Sequence, residues 1–150
     1  MRLVIQRVKK ASVEIGGERH SSIEHGLMVL VGVAEGDTID DVRWLAAKTI
    51  AMRIFDDEAG VMNRSVADVG GEVLAVSQFT LNASTKKGNR PSYIHAAGHD
   101  VAIPLYEAYC EMIAEGLNRP TKKGVFGADM QVALINDGPV TIVIDSKLKE

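Results

Sequence analysis

A chain of 150 residues with 46% apolar and 25% charged content can bury one sizeable core, so residues 1–150 are expected to form a single domain. A net charge of −3 excludes a wholesale basic coat, and any polyanion must be met by a local patch. A lone cysteine, Cys110, excludes an internal disulfide, and neither a signal-like apolar stretch in Met1–Arg7 nor a run of about 18 apolar residues is present, so a cytoplasmic protein away from membranes is expected.

Leu3, Ile5 and Val8 alternate with polar residues as in a half-buried strand, and Ala11–Ile15 reads as a second one. Gly16-Gly17 suits a two-residue hairpin turn. Leu27–Val33 is a continuous apolar run, the pattern of a strand covered on both faces. Thr38 followed by Asp41 predicts a capping box, and Val42, Leu45, Ala46 and Ile50 predict one face of a helix running to about Phe55. Asp56–Gly60 reads as a turn and Asn63–Gly71 as irregular.

Glu72–Leu81 predicts the central strand, and Asn82–Ser92 a basic loop carrying Lys86, Lys87 and Arg90. Pro104 suits the start of a second helix, with Leu105, Tyr109 and Met112 on one face and Gly116 as its C-terminal stop. Cys110 falls on that helix and reads as a buried, inert thiol. After a loop over Asn118–Gly127, strands are predicted at Met130–Ile135 and Val140–Asp145, separated by an Asn136–Pro139 turn and followed by a frayed tail. Strands dominate and two helices are long, so the class is α+β.

The chemistry concentrates at Val76–Leu81. Ser77, Gln78 and Thr80 are polar residues at the end of a buried strand, where polar groups must be hydrogen-bonded or used, while Phe79 and Leu81 continue the strand's alternation. Two readings fit: Ser and Thr capping a turn, or a rigid strand delivering hydroxyl, amide and backbone N–H groups to a basic rim. No Gly-x-Ser-x-Gly elbow and no phosphate loop is present. His95 and His99 share a helical spacing without the glutamate or cysteine that a zinc motif needs, so no metal and no cofactor is expected. No side chain marks itself as the base for Ser77 or Thr80, which points to positioning and backbone donors if the protein is a hydrolase.

Ser77-Gln78-Phe79-Thr80-Leu81 together with Asn136-x-Gly138-Pro139-x-Thr141 resembles the D-aminoacyl-tRNA deacylases. The start Met1–Val8, the loop Lys87–Ser92 and the run Gly124–Val132 match as well, so the likeness spans the chain. It implies an esterase that cleaves a D-amino acid, or misplaced glycine, from the terminal adenosine of tRNA and rejects L-aminoacyl-tRNA. It implies a sheet curled barrel-like with two long helices, and partners limited to the acceptor end of aminoacyl-tRNA and a second copy of the chain, without DNA. Ser77, Gln78, Phe79 and Thr80 match the catalytic positions. Gly138 and Pro139 match a cis dipeptide whose carbonyls enter the partner subunit's site, Arg7 the residue that orients it, and Met130 a substrate-binding position. In the favoured reading of the family the tRNA 2′-hydroxyl activates the attack, and N–H groups near Phe79 and Thr80 hold the oxyanion. Two other readings stay open: a hydrolase of D-amino-acid derivatives that never meets RNA, and a module that binds chiral amines without turnover.

Overall fold

β1, Arg2–Ile15, is one unbroken strand, and the sheet is assembled around it. The two strands expected here are continuous because Val8 and Ala11 both turn inward while Lys9 and Lys10 stay exposed, which shifts register without ending pairing. The computed structural model describes residues 1–150.

One edge of β1 is shared by two partners. Its first half is antiparallel to β3, Gly26–Gly32, and its second half to β2, Glu18–Ile23, across the expected turn at Gly16 and Gly17. Its other edge carries β8, Gln131–Asp145. β3 runs parallel to β6, Glu72–Ser77, and β6 runs parallel to the short β7, Lys122–Lys123. Ser21 on β2 donates to the Lys123 carbonyl at 2.7 Å, so the two ends of the mixed sheet nearly meet and it curls into a barrel.

The curl creates two cores. Leu27, Val29 and Val31 of β3 join Val73 and Ala75 of β6 beneath the helices α1, Ile39–Ala51, and α2, His99–Leu117. Met28, Leu74 and Val76 face the barrel interior with Val8, Val13 and Ile23. Both faces of β3 and β6 are therefore dry, which is why their sequences show no polar period. Each large side chain buried this way stabilises the fold by about 1.5–3 kcal/mol. The α+β class and barrel-like sheet agree with the sequence reading.

The capping box at Thr38 forms, with the Thr38 N–H donating to the Asp41 carboxylate at 2.8 Å. The first helix stops at Ala51, short of Phe55, because Phe55 is claimed by tertiary burial: it lies on β4, Phe55–Asp56, paired with β5, Met62–Arg64, with its ring edge-on to His25. The second helix starts five residues before Pro104, which costs it one N–H donor in the second turn. Gly116 lies inside that helix, and Asn118 supplies the left-handed cap at φ 51°. A side chain at Gly116 would overlap Ile50, so this glycine serves the close approach of the two helices.

The Asn136–Pro139 turn is a bulge within β8. Between the pairs Val8–Asn136 and Gln6–Thr141, β1 advances two residues and β8 five, so extra chain loops out without reversing direction. The expected frayed tail is anchored at its start: the Ser146 N–H donates to the Met1 carbonyl, and Lys147 reaches Asp41. No helix is long and apolar enough to cross a membrane.

Candidate active site

β6 ends at Ser77, four residues earlier than the strand read from the sequence. Gln78 N–H donates to the Val31 carbonyl at 2.8 Å, and Phe79–Asn82 then winds into a single 3₁₀ turn. The apolar alternation at Phe79 and Leu81 suggested a strand, but Asn82 decides otherwise: its amide donates to the Val33 carbonyl at 3.0 Å and draws the chain back against β3.

This turn forms one wall of a cleft of about 690 Å³. Ser77, Gln78 and Phe79 line it from β6 and the turn, Val31 from β3, Met130 from just before β8 and Val132 from its start. The start of α2 contributes His99 and Tyr106, and the loop before β8 contributes Phe126. A methyl group on Gly124 would overlap the Met130 sulfur, so the bare glycine makes room for that side chain beside the cleft.

The available chemistry is that of a shaped, largely apolar slot with backbone donors. As the first two residues of a helical turn, Phe79 and Thr80 have no intrahelical acceptor for their N–H groups, and none of the loop and cap hydrogen bonds uses them. The Thr80 hydroxyl is held by the Gln78 side-chain amide and does not line the cleft. No carboxylate, histidine or lysine is hydrogen-bonded to Ser77 or Thr80. Tyr106 donates to the Ala75 carbonyl at 2.8 Å, and burial lifts its phenol far above the ordinary range, so it stays neutral. His99 stands edge-on to Phe126, with ring centroids 5.3 Å apart. No three His, Cys, Asp or Glu side chains converge as a metal-binding group.

Gly138, Pro139 and Arg7 lie elsewhere. The Gly138–Pro139 bond is cis, and both residues are exposed on the β8 bulge, eight residues along the chain from Met130 and outside the cleft lining. Arg7 is buried beneath them. Its Nε donates to the Asp137 carbonyl at 2.9 Å and its Nη1 to the Ile54 carbonyl at 2.7 Å, with Asp56 and Asp137 carboxylates at 3.5 and 3.6 Å. Asn136 closes the bulge: its amide donates to the carbonyls of Arg7 at 3.0 Å and Val140 at 2.9 Å. A Cβ on Gly138 would stand 2.9 Å from Val140 Cγ2 and 3.1 Å from Arg7 Nη2, at a φ of 135°.

A family model described as D-Tyr-tRNA(Tyr) deacylase matches residues 4–145. The chain belongs to that family. Relatives of this D-Tyr-tRNA(Tyr) deacylase family include the D-aminoacyl-tRNA deacylase of Parabacteroides distasonis, 59% identical over 100% of both chains. Another is the D-aminoacyl-tRNA deacylase of Cytophaga hutchinsonii, 62% identical over 98% of both chains. Among solved structures, a c-Myc DNA unwinding element binding protein is 40% identical with a TM-score of 0.90, covering 97% of this chain and 98% of its own. A probable eukaryotic D-amino acid tRNA deacylase shares the fold at a TM-score of 0.81 and 15% identity, over 95% of this chain and 97% of its own.

Of the residues singled out from the sequence, the family fold brings Ser77, Gln78, Phe79 and Met130 to one cleft, sets Thr80 behind it, and leaves Gly138, Pro139 and Arg7 outside. The reading missed Tyr93 and Tyr106, and it placed Asn136 in the motif without its bracing role. Tyr93 lines the cleft edge-on to Phe79, and the one signal that could have found it is the scarcity of aromatic residues, 5% of the chain.

Proposed function

We propose that this chain hydrolyses the ester between a D-amino acid, or glycine, and the 3′-terminal adenosine of tRNA, and that two copies are needed to complete each site. The observation that carries this reading is the pair of free N–H groups at Phe79 and Thr80 beside a cleft where no side-chain base reaches a hydroxyl. Two backbone donors suit the oxyanion that forms when water adds to the ester carbonyl. The ribose 2′-hydroxyl next to the ester then serves as the activating group, relaying a proton as the acyl–oxygen bond breaks. The products are the free amino acid and tRNA with its terminal hydroxyl restored.

Discrimination between hands requires a wall against L side chains, because both enantiomers offer the same attractive groups. Backbone carbonyls suit that wall, since no rotamer moves them aside. The exposed Gly138–Pro139 bulge, braced by Arg7 and Asn136, is the rigid candidate. Its position outside the cleft lining of its own chain favours delivery to the cleft of a second copy. Two further features support the pairing: β8 bonds only to β1 and leaves its other edge open, and Ile135 and Val143 on it are 46% and 64% exposed.

The test is deacylation of matched D-, L- and glycyl-tRNA at one enzyme concentration. Rapid release of D-amino acid and glycine with intact L-aminoacyl-tRNA is the expected result. Equal cleavage of both hands, or cleavage of free D-amino-acid esters unaffected by competing uncharged tRNA, overturns it.

A further inference from the structure

Lys86, Lys87 and Arg90 stand on one loop whose ends are pinned together. The Ser84 N–H donates to the Ser92 carbonyl at 2.8 Å, and the Ser92 N–H to the Ser84 carbonyl at 2.9 Å. Every residue from Thr85 to Pro91 is exposed. None of the three cations makes an ion pair, although Arg2, Arg7, Arg43, Arg64, Lys123 and Lys147 each have a carboxylate within reach. In a chain of net charge −3, this concentrates unneutralised positive charge within five residues. The basic segment at β7 differs, because Glu107 holds Lys123 at 2.8 Å.

The loop runs directly into the cleft. Tyr93, the residue after the Ser92 pin, lines it and is 40% exposed, and its ring meets that of Phe79, 55% exposed, at a centroid distance of 5.0 Å. Cations that track a backbone beside open aromatic rings are the combination that binds a single strand of nucleic acid, since phosphates meet charge and unstacked bases meet rings. A duplex end keeps its bases stacked and has no use for the rings.

We infer that the Lys86–Arg90 loop grips the phosphates of the single-stranded 3′ end of tRNA just before the nucleotide held in the cleft, with Phe79 and Tyr93 as a platform for its bases. The inference rests on the proposed reading that the cleft takes a terminal adenosine. Phosphate contacts of this kind carry no sequence information, which suits a protein that must accept many tRNAs. Because the loop ends are already fixed, little ordering opposes the contact.

The experiment uses the full chain and three proteins: the parent, Lys86→Gln/Lys87→Gln/Arg90→Gln, and a control of equal charge, Arg43→Gln/Lys48→Gln/Lys149→Gln, altered on the α1 side. Binding of fluorescent uncharged tRNA is followed from about 0.05 to about 0.2 M salt, and each phosphate that is no longer neutralised should flatten the slope of log K against log salt by about 0.7–0.9. The loop variant is expected to bind about tenfold more weakly at the low-salt end with a slope shallower by about 2, while the control follows the parent. In parallel, cleavage of a D-aminoacyl-adenosine ester, which lacks the upstream phosphates, should be unchanged in the loop variant. Equal slopes for parent and loop variant, an equal loss in the control, or impaired cleavage of the short ester each overturn the inference. If the parent cleaves neither the tRNA ester nor the short ester, the proposed function falls, and the slope comparison still decides the role of the loop.

Discussion

The side-chain amide of Gln78 donates a hydrogen bond to the hydroxyl of Thr80, two residues along the same turn. The interaction occupies the hydroxyl with a neighbour and leaves it out of the cleft lining. Thr80→Ala therefore removes one hydrogen bond, worth about 0.5–1.5 kcal/mol, and deacylation of D-aminoacyl-tRNA should stay within about tenfold of the parent. Loss of a covalent nucleophile costs about a millionfold in hydroxyl-triad hydrolases. A folded Thr80→Ala protein with no turnover above background would return the nucleophile role to Thr80.

Gly138→Ala should damage the reaction without touching the cleft of its own chain. The added methyl meets Val140 Cγ2 at 2.9 Å and Arg7 Nη2 at 3.1 Å, at a backbone angle that L side chains rarely adopt. The bulge must shift, and a displacement of about 1 Å in a positioning element costs about a hundredfold in rate. The kcat/KM for D-aminoacyl and glycyl substrates should fall together by roughly that factor. Unchanged kinetics in a folded variant would place the chiral wall elsewhere.

The open edge of β8 sets the expected mass. Sedimentation should give twice the 16.2 kDa of one chain, with an interface of at least about 1,200 Å². Replacing the exposed Ile135 and Val143 with lysine should shift the protein to the single-chain mass and abolish activity in step. A fully active protein that sediments as one chain at micromolar concentration removes the need for a second copy.

Asp41 makes stability depend on acid. Burial works against its carboxylate, but hydrogen bonds from Ser146, Lys147 and Thr38 outweigh burial and hold it well below the usual carboxylate range. A folded-state pKa below the unfolded value of about 3.9 contributes stability that is present above that pH and lost as pH falls beneath it. Asp41→Asn should lower the urea midpoint at neutral pH, and the gap to the parent should narrow below about pH 4. A gap of equal size at both pH values would show that packing, not charge, explains the loss.

The sequence made one half of this arrangement legible and hid the other. Ser77 and Gln78 stood out because polar residues interrupt an apolar strand, and they do line the cleft. What followed did not read correctly, since Phe79 and Leu81 fit a strand's alternation over too few residues to distinguish it from the turn that Asn82 enforces. His99, Tyr106 and Phe126 belong to elements far along the chain, and only the crossing of α2 over β6 brings them to the same wall. Gly138-Pro139 carried the punctuation of a turn, yet pairing of both flanks with β1 converts it to a bulge. Helix ends were misjudged at Phe55 and Gly116 for a common reason: tertiary burial, of Phe55 against His25 and of Ile50 against Gly116, outweighed local signals.

The bulge also bears on how the chain avoids sticking to the wrong neighbours. A straight free strand of 15 residues would be a template for runaway sheet growth, in which copies add edge to edge without limit. The looped-out residues at Asn136–Pro139 divide that edge into two short lengths, and Pro139 withholds a donor between them. Neither length offers a long continuous ladder to a misfolded or half-made chain. The same few residues to which the reading of chirality is assigned would then also keep a freshly synthesised, still unpaired copy out of aggregates.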